Sequence, residues 1–481
     1  MRRTPLAFLL LAAACGDSRE SGAPADGRPP NVVVVVMDTL RADRIGAYGY
    51  LRDTTPVLDR LAREGALATD VTAQCSWTLP SMVSLFQGRY VTSYRDVFLE
   101  DAPTLAEVFR GAGYRTIGVV GNGLLSAEAS FDRGFDHYDA RKRGSEGQRG
   151  SAARRADELF EAARRPLQQA LAPESDGSEP PPLFAYLHFM DPHGPYANHD
   201  EYAAVLTNDP GESGIDLSRQ RQLYEAAWPG RTGKPATEEV WKAMHLELAR
   251  YDQEVRFADE YLGLLMELYE EAGALENTVV AVIADHGEGL YDHLTPPDAD
   301  LPARPLPNRQ FFLQHGKVLY RELVGTPMIL WGAGVPAGVE IEQAVENIDL
   351  FPTLLGIAGI EAPEGLQGRS LVPALAGDEL PEQAVHTSIL EARSIRSPDG
   401  WKLILPTQYG KDRAIELYDL GNDPGELENL AQMHPETVQA LRADLDRWLE
   451  AHPIETSIGR PKSQQAIEDM KELGYLGDDE D

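Results

Sequence analysis

Four residues that could act together in hydrolysis lie far apart in the chain: Asp38, Thr78, Asp285 and His286. Two carboxylates and an imidazole can hold a divalent cation. A hydroxyl group beside such a cation loses its proton more easily and attacks an electrophilic phosphorus or sulfur atom. Together, these side chains suit the hydrolysis of an ester. Taken singly, Asp38 could instead cap a helix and Asp285 could open a turn.

Thr78 lies at the start of a predicted helix. Pro80 opens an apolar run at helical spacing that extends to Phe86, and Gly88 supplies a C-terminal stop. The N-terminus of a helix stabilises negative charge through its unpaired backbone N–H groups and its dipole. An ordinary helix cap has the same sequence signature, so this stretch alone leaves both roles open for Thr78.

Four short apolar runs are predicted to be the strands that position these residues. Each has the character of a parallel strand buried on both faces, and each ends in polar residues. The runs are residues 31–38, 114–122, 183–193 and 278–287. Because the carboxyl ends of parallel strands meet at one edge of a sheet, we expect Asp38, Asn122, Asp191, His193 and Asp285 to converge there.

The segments between these runs are predicted to be helices, which gives a mainly parallel α/β sheet with helices on both faces. The predicted helices are residues 55–64, 105–113 and 238–271. The charged and then proline-rich segment 144–182 is interpreted as a surface excursion. Beyond residue 377, short strands and turns predict a small antiparallel α+β subdomain that a helix at 435–449 covers.

Length and charge limit the possible classes of protein. The 481 residues exceed one ordinary core, so we predict a catalytic domain at 31–376 and a C-terminal subdomain and tail at 377–481. The net charge of -33 argues against binding to nucleic acid, which requires a basic surface.

The N-terminus has the layout of a secretory signal. Arg2 and Arg3 precede an apolar run, and small residues lead into Cys15. The segment 1–15 resembles a bacterial lipoprotein signal, in which the cysteine is lipid-modified, and a plain signal peptide is the alternative. Residues 16–30 are predicted to be a flexible tether. The predicted location is the bacterial cell envelope, membrane-anchored and facing the periplasm or the exterior.

An ordered series of motifs resembles the sulfatase family of the alkaline phosphatase superfamily. The resemblance runs from about residue 31 to residue 449. The segments that carry it most clearly are 37–43, 77–81, 85–90, 188–196, 284–288, 315–320 and 349–355. It implies the family's mainly parallel α/β fold with a small C-terminal antiparallel subdomain, and it implies a hydrolase of sulfuric esters.

The resemblance also implies a divalent metal cation held by Asp38, Asp285 and His286. The chain departs from the family at Thr39, where a second aspartate is usual. One carboxylate fewer weakens an assignment to calcium, which normally has several hard oxygen ligands. The metal could therefore be calcium or zinc or manganese.

The resemblance places Thr78 at the nucleophile position and His193 and His315 beside the ester and its leaving group. Sulfatases of the usual kind convert a cysteine or serine at that position into formylglycine. Threonine cannot be converted, and Cys75 lacks the surrounding motif, so formylglycine is not expected. Asn122 is predicted to be catalytic, at a place where many sulfatases have charged residues. An amide there beside a threonine is similar to the nucleotide pyrophosphatase and phosphonate hydrolase branches, which makes phosphorus a candidate.

A second metal site is a further possibility. Asp191 and His293, with His193 and His315, could complete a zinc-like set of nitrogen and oxygen ligands, as phosphatase branches have. Lys317 could contact the oxygens of the ester or face solvent. One metal is preferred over two.

The predicted function is metal-dependent hydrolysis of a sulfuric or phosphoric ester through Thr78. The expected partners are a small-molecule or glycan ester and, through the lipid anchor, a membrane, with no nucleic acid. The alternatives are a phosphodiesterase or phosphatase with one or two metals, an inactive surface-binding lipoprotein, and a phosphoryl transferase. His188 is interpreted as a strand residue that packs or bonds locally.

Overall fold

The computed structural model describes residues 27–90, 98, 102–140, 153–222, 225, 237–293, 315–411 and 413–452. The predicted signal, Cys15 and most of the predicted tether lie outside these ranges, as does the tail after residue 452. No helix within them combines the length and the apolar character that crossing a bilayer requires.

A nine-stranded sheet forms the centre of the described part of the chain, in the order β4-β3-β5-β1-β6-β7-β2-β8, with β9 also paired to β2. The strands are β1 (Asn31–Met37), β2 (Ala66–Thr72), β3 (Arg115–Val120), β4 (His137–Asp139), β5 (Leu183–Phe189), β6 (Thr278–Ile283), β7 (Gly325–Gly332), β8 (Val339–Ile341) and β9 (Val345–Glu346). Strand β7 is antiparallel to β6 and β2, while the remaining pairs are parallel. The mainly parallel sheet predicted from the sequence is confirmed.

Helices cover both faces of this sheet. The helices are α1 (Pro56–Glu64), α2 (Thr78–Gln87), α3 (Leu105–Gly111), α4 (Ala156–Leu171), α5 (Glu238–Glu271), α6 (Arg321–Val324), α7 (Leu350–Ala358), α8 (Val372–Leu375) and α9 (Pro435–Ala451). Strand β1 shows why two layers form: Val33 and Val35 pack with α1, α4 and α5, whereas Val32 and Val34 pack with α2, α3 and α7. Because successive side chains of this apolar strand point to opposite faces of the sheet, the strand contributes to two hydrophobic cores.

The interpretation of residues 144–182 as a surface excursion was wrong for the part that forms α4. This helix buries Leu159, Ala163 and Leu167 completely against the sheet. Their four-residue spacing gives the helix one apolar face. Charged residues dominate the composition of the segment, so composition alone does not reveal that face.

The C-terminal subdomain is a four-stranded antiparallel sheet, as the sequence predicts. Its strands are β10 (Val385–Ser388), β11 (Ala392–Arg396), β12 (Trp401–Pro406) and β13 (Glu416–Asp419). Helix α9 covers one face by packing Leu441 and Leu445 on the sheet. The subdomain also packs against the loop that precedes α2, because Ile404 and Tyr418 share an apolar cluster with Trp77.

Candidate active site

The ends of four adjacent strands meet at one edge of the main sheet. In the register of the sheet, Val36 of β1 lies opposite His188 of β5 and opposite Ile283 of β6. The polar residues that follow β1 and β6 therefore start from the same level. The structure brings Asp38, Asn122 and Asp285 together there, as expected from the strand ends.

Asp38 uses its two carboxylate oxygens differently. Its Oδ2 accepts hydrogen bonds from Asn122 Nδ2 at 2.8 Å and from His188 Nε2 at 3.0 Å. Its Oδ1 is buried and has no hydrogen-bond partner among the described residues. Burial acts to raise the pKa of Asp38, but the His188 hydrogen bond and the nearby His193 and His286 outweigh it and lower the pKa below its ordinary value.

Asp285 repeats this arrangement from the other side. Its Oδ1 accepts from the backbone N–H groups of Thr39, at 3.1 Å, and His286, at 2.8 Å. Its Oδ2 is buried and, within the described ranges, has no hydrogen-bond partner. Burial and the charge of Asp38 raise the pKa of Asp285 above its ordinary value. Two acidic groups thus face one another in a region closed to water.

The two carboxylates fit a divalent cation, and His286 Nε2 lies 3.4 Å from Asp285 Oδ2. Asp38, His188 and Asp285 offer ligand atoms that all lie within 4.8 Å of one another. Both nitrogens of His188 are already hydrogen-bonded, to Asp38 and to the Tyr186 hydroxyl at 2.8 Å, so His188 orients Asp38. Asp38 Oδ1 and Asp285 Oδ2 are the oxygens without partners, and buried carboxylate oxygens of this kind require a cation or a proton.

Thr39 adapts the backbone to this site. It has a positive φ of 60°, which a β-branched residue adopts only under strain. In this conformation its N–H group reaches Asp285, and its hydroxyl oxygen is buried with no hydrogen-bond partner among the described residues. The position at which the family usually has an aspartate therefore contributes a backbone donor and a neutral hydroxyl group.

Thr78 is the first residue of α2, with Trp77 as the N-cap. Its Oγ1 lies 3.2 Å from His286 Nε2, and both side chains are fully buried. The other ring nitrogen, His286 Nδ1, lies 2.7 Å from the carbonyl oxygen of Gly287. Because a carbonyl only accepts, Nδ1 carries the proton and the lone pair of Nε2 faces the threonine hydroxyl. The predicted nucleophile thus lies at a helix N-terminus and beside a predicted metal ligand.

His193 and His315 complete the cluster. Their ring centroids are 5.0 Å apart, and the His315 ring lies 4.7 Å from that of His286. His193 Nδ1 donates to the Gly194 carbonyl at 2.7 Å, and burial lowers the pKa of His193 to about 4. Burial also acts to lower the pKa of His315, but the Glu288 carboxylate, 3.0 Å from its Nδ1, raises it above the ordinary value. One imidazole is therefore neutral and the other favours the charged form.

Three residues of the predicted site have other contacts. Asp191 accepts a hydrogen bond from the first backbone N–H of α4 at 2.7 Å. His293 has both ring nitrogens engaged, at 2.6 Å from Glu322 and 3.0 Å from the Glu426 carbonyl. Lys317 is exposed. None of the three belongs to the group of ligand atoms around Asp38, so the described residues show no second metal site built from them.

Three supporting residues were missed by sequence reasoning. His188, interpreted as a strand residue that packs or bonds locally, forms its hydrogen bond with the distant Asp38 and so supports the site. Glu288 orients His315, and Arg41 holds the backbone of Glu288 by donating to its carbonyl at 3.0 Å. The available signal for His188 was its distance from the end of its strand, because a parallel register places it beside the last residues of β1.

Family models match nearly the whole described chain. The model described as sulfatase matches residues 30–360, and the model described as N-sulphoglucosamine sulphohydrolase, C-terminal, matches residues 311–453. Delta 4,5-hexuronate-2-O-sulfatase from Bacteroides thetaiotaomicron is 23% identical over 483 residues, which cover 89% of this chain and 90% of that protein. Arylsulfatase K from Homo sapiens is 25% identical over 229 residues, 45% of this chain, and the match spans only 39% of that protein.

Solved structures agree on the fold. The phosphonate monoester hydrolase of Agrobacterium radiobacter superposes with a TM-score of 0.66 at 18% identity, covering 88% of this chain and 96% of that one. A protein solved in complex with its substrate D-glucosamine-2-N,6-O-disulfate gives 0.65 at 20% identity, covering 90% and 100%. Because the sulfatase model alone matches more than half of its residues, the chain belongs to the sulfatase family.

Proposed function

We propose that this protein hydrolyses sulfuric or phosphoric esters, with Thr78 as the nucleophile and a divalent cation as cofactor. One observation carries the proposal. A buried threonine hydroxyl at a helix N-terminus is hydrogen-bonded to His286, beside two carboxylate oxygens, of Asp38 and Asp285, that have no partner among the described residues. Membership of the sulfatase family, whose members generally use a divalent metal, supports it.

The residues that would hold the cation are Asp38 through Oδ1, Asp285 through Oδ2 and His286 through Nε2. Two oxygens and one imidazole nitrogen suit zinc or manganese at least as well as calcium. When bound, the cation would supply neutralising charge to the ester oxygens and lower the pKa of an adjacent hydroxyl group. Asn122 would contribute by fixing the orientation of Asp38 with a neutral amide.

In the first step Thr78 Oγ1 forms a bond to sulfur or phosphorus, and the bond from that atom to the leaving oxygen breaks. His286 Nε2, the ring nitrogen beside the Thr78 hydroxyl, is assigned to the cation, so neutral His193 is proposed to take the Thr78 proton at Nε2, its Nδ1 being committed to a carbonyl. Protonated His315, paired with Glu288, gives its proton to the leaving oxygen. The opposite pKa shifts of these two neighbouring imidazoles support His193 as the base and His315 as the acid.

In the second step water attacks the Thr78 ester and restores the enzyme. The neutral imidazole of His315 takes a proton from the attacking water, while His193 returns its proton to Oγ1 as the bond from Oγ1 to sulfur or phosphorus breaks. Each histidine ends in its starting protonation state, and the products are the free alcohol and sulfate or phosphate. A threonine ester carries no second hydroxyl group on its β-carbon, so it is released by attack at sulfur or phosphorus.

Two sets of observations favour different esters. The sulfated sugars named for the hexuronate sulfatase and for the disulfated glucosamine complex support a sulfuric ester of a sugar. Thr78 in the formylglycine position and the neutral Asn122 support a phosphoric or phosphonic ester, since neither feature depends on the aldehyde chemistry of usual sulfatases. Direct attack by an alkoxide and hydrolysis of the resulting ester are ordinary steps in phosphoryl transfer.

The proposal is tested by turnover of 4-nitrophenyl sulfate, 4-nitrophenyl phosphate and bis(4-nitrophenyl) phosphate after chelation and re-addition of calcium, zinc or manganese. T78A should lower kcat/KM on the preferred ester by roughly 10³-fold or more. S84A, which removes a buried hydroxyl from the same helix, is the matched control and should retain most activity. Turnover that neither chelation nor T78A reduces would reject the mechanism.

We also infer export and lipid anchoring, from the signal-like segment 1–15. Metabolic labelling with an alkyne-bearing palmitate should mark the wild type and leave C15A unlabelled. C15A should also leave the membrane fraction. Labelling that persists in C15A would reject Cys15 as the modified residue.

A further inference from the structure

The segment that carries His193 is fixed at both ends by two buried acidic side chains. Asp191 accepts from the backbone N–H of Ala156 at 2.7 Å, which anchors the start of the segment on α4. Glu254 on α5 accepts from the backbone N–H of Ala197, which anchors its other end. Asp191 and Glu254 also interact electrostatically with each other, and each is only 4% exposed. We refer to these two residues as the carboxyl pair.

The two carboxyl groups of the pair influence each other's charge. Two buried carboxylates repel one another, so the charge on one disfavours a charge on the other. Burial and then the charge of Glu254 raise the pKa of Asp191 well above its ordinary value. Burial also acts to raise the pKa of Glu254, but hydrogen bonds, from His199 first, bring it below its ordinary value.

Neighbouring residues on the same segment, on α5 and at the start of α4 also contact the segment or the carboxyl pair. His199 Nε2 lies 3.2 Å from the second oxygen of Glu254, and the backbone N–H of His199 donates to Gln253 at 2.9 Å. His199 itself is only 2% exposed. Arg155 supplies positive charge beside Asp191 from the N-terminus of α4. Segment 191–199 is therefore held by the backbone N-terminus of α4 and by two side chains of α5, Gln253 and Glu254.

We propose that the carboxyl pair Asp191–Glu254 is a positioning device that holds the His193 imidazole in place for proton transfer. His193 lies two residues after Asp191 and four before Ala197, so both anchors act on the short stretch that carries it. The backbone N–H of His193 donates to the Met190 carbonyl at 2.8 Å, which continues the anchored turn. Asp191 and Glu254 are positioning residues that act through His193. The role in proton transfer rests on the proposed function, whereas the anchoring of the segment does not.

Three variants at one position separate the contribution of the hydrogen bond from that of side-chain volume. D191N keeps a side-chain oxygen that can accept from Ala156, so it should keep kcat within about threefold of the wild type. D191A removes this bond and should lower kcat about tenfold or more with little change in KM. D191S, which shortens the side chain, replaces D191A if the alanine variant does not fold. E212Q, at an exposed acid, is the control.

A double-mutant cycle tests whether Asp191 acts through His193. If it does, D191A should cost about tenfold in the wild type and less than about twofold in H193A, because the group that it positions is already absent. An equal loss in both backgrounds, or a loss in D191N as large as that in D191A, would overturn the proposal. The substrate is whichever nitrophenyl ester the wild type turns over.

Hydrogen exchange provides a test that needs no substrate. Backbone amides of segment 191–199 should exchange about tenfold faster in D191A, or in D191S, than in the wild type, and at the wild-type rate in D191N. Faster exchange without any turnover would reject the proposed function and leave the anchoring intact. Unchanged exchange in D191A would overturn the inference itself.

Discussion

At the residue scale, His188 fixes the orientation of Asp38 by a hydrogen bond. Replacing it by phenylalanine removes the 3.0 Å bond to Asp38 Oδ2 and should weaken binding of manganese or zinc about 10- to 100-fold. Isothermal titration calorimetry measures this change. The control is H245Q, because His245 lies on α5 and bonds Ser213. Equal affinities of H188F and the wild type would show that Asp38 does not depend on this bond.

The sequence predicts which residues form the site better than it predicts the hydrogen bonds between them. Asp38, Asn122 and Asp285 each follow a short apolar run, and the rule that parallel strands end at one edge of a sheet predicts their convergence. His188 lies inside such a run, where an alternating side chain faces either the site or a helix. Its role follows from the register with Val36, which is a long-range property of the sheet.

At the scale of elements, the docking of α9 depends on an uncharged histidine. The His386 ring stacks on Trp448 of α9, with centroids 4.1 Å apart, and its nitrogens have no hydrogen-bond partner among the described residues. Burial, and then the proximity of His452, lower the pKa of His386 to about 3. Protonation therefore favours the unfolded chain, whose histidine has an ordinary pKa of about 6.5.

The lowered pKa of His386 determines how the stability of the protein changes with pH. The stability that neutral His386 allows is fully present above about pH 6.5, and it falls as the pH drops from there toward about 3. We expect the wild type to lose up to about 1.4 kcal/mol per pH unit between pH 6.5 and 5 relative to H386F, which keeps the stacking. Urea unfolding at pH 7.5 and 5 measures the difference. The same gap between the two proteins at both pH values would contradict it.

One helix, α4, was harder to predict from the sequence than the strands. The segment 144–182 is rich in charge and proline, and its composition resembles a surface loop. Helix α4 forms within it because Leu159, Ala163 and Leu167 share one face, and the charged residues lie on the other faces. The spacing of the apolar residues indicates the helix in this segment, and the amino-acid composition does not.

At the scale of the whole molecule, a buried ion pair joins the C-terminal subdomain to the loop that carries His315. Lys402 Nζ lies 2.6 Å from Glu426 Oε1 and donates to the Leu319 carbonyl at 2.5 Å. Glu426 also accepts from the backbone N–H of Arg321. The antiparallel subdomain therefore helps to hold one wall of the site.

Removing one member of this pair should destabilise the protein strongly. K402M leaves Glu426 buried without its partner, which costs about 3–5 kcal/mol. The double variant K402M/E426Q removes both charges and should lose less than K402M alone. Chemical unfolding of the single and double variants measures both effects. A double variant that is less stable than K402M would show that the two charges do not compensate each other.

The order of the main sheet lay beyond sequence reasoning. Apolar runs predict strands, but neighbours are selected by contacts between distant segments, such as β2 with β7 and β1 with β6. Strand β7, which runs antiparallel inside the mainly parallel sheet, has no separate signature in its residues. The C-terminal subdomain was predictable because its turns are local.

The most direct test of the account is to identify the covalent intermediate on Thr78. The wild type is mixed with the ester that it turns over, quenched in acid during steady state, digested and examined by mass spectrometry. Our account predicts that the peptide containing Thr78 gains one sulfuryl or phosphoryl group, fragmented to that residue, and that the T78A peptide gains none. Turnover in which the modification lies on another residue, or in which T78A remains fully active, would contradict it.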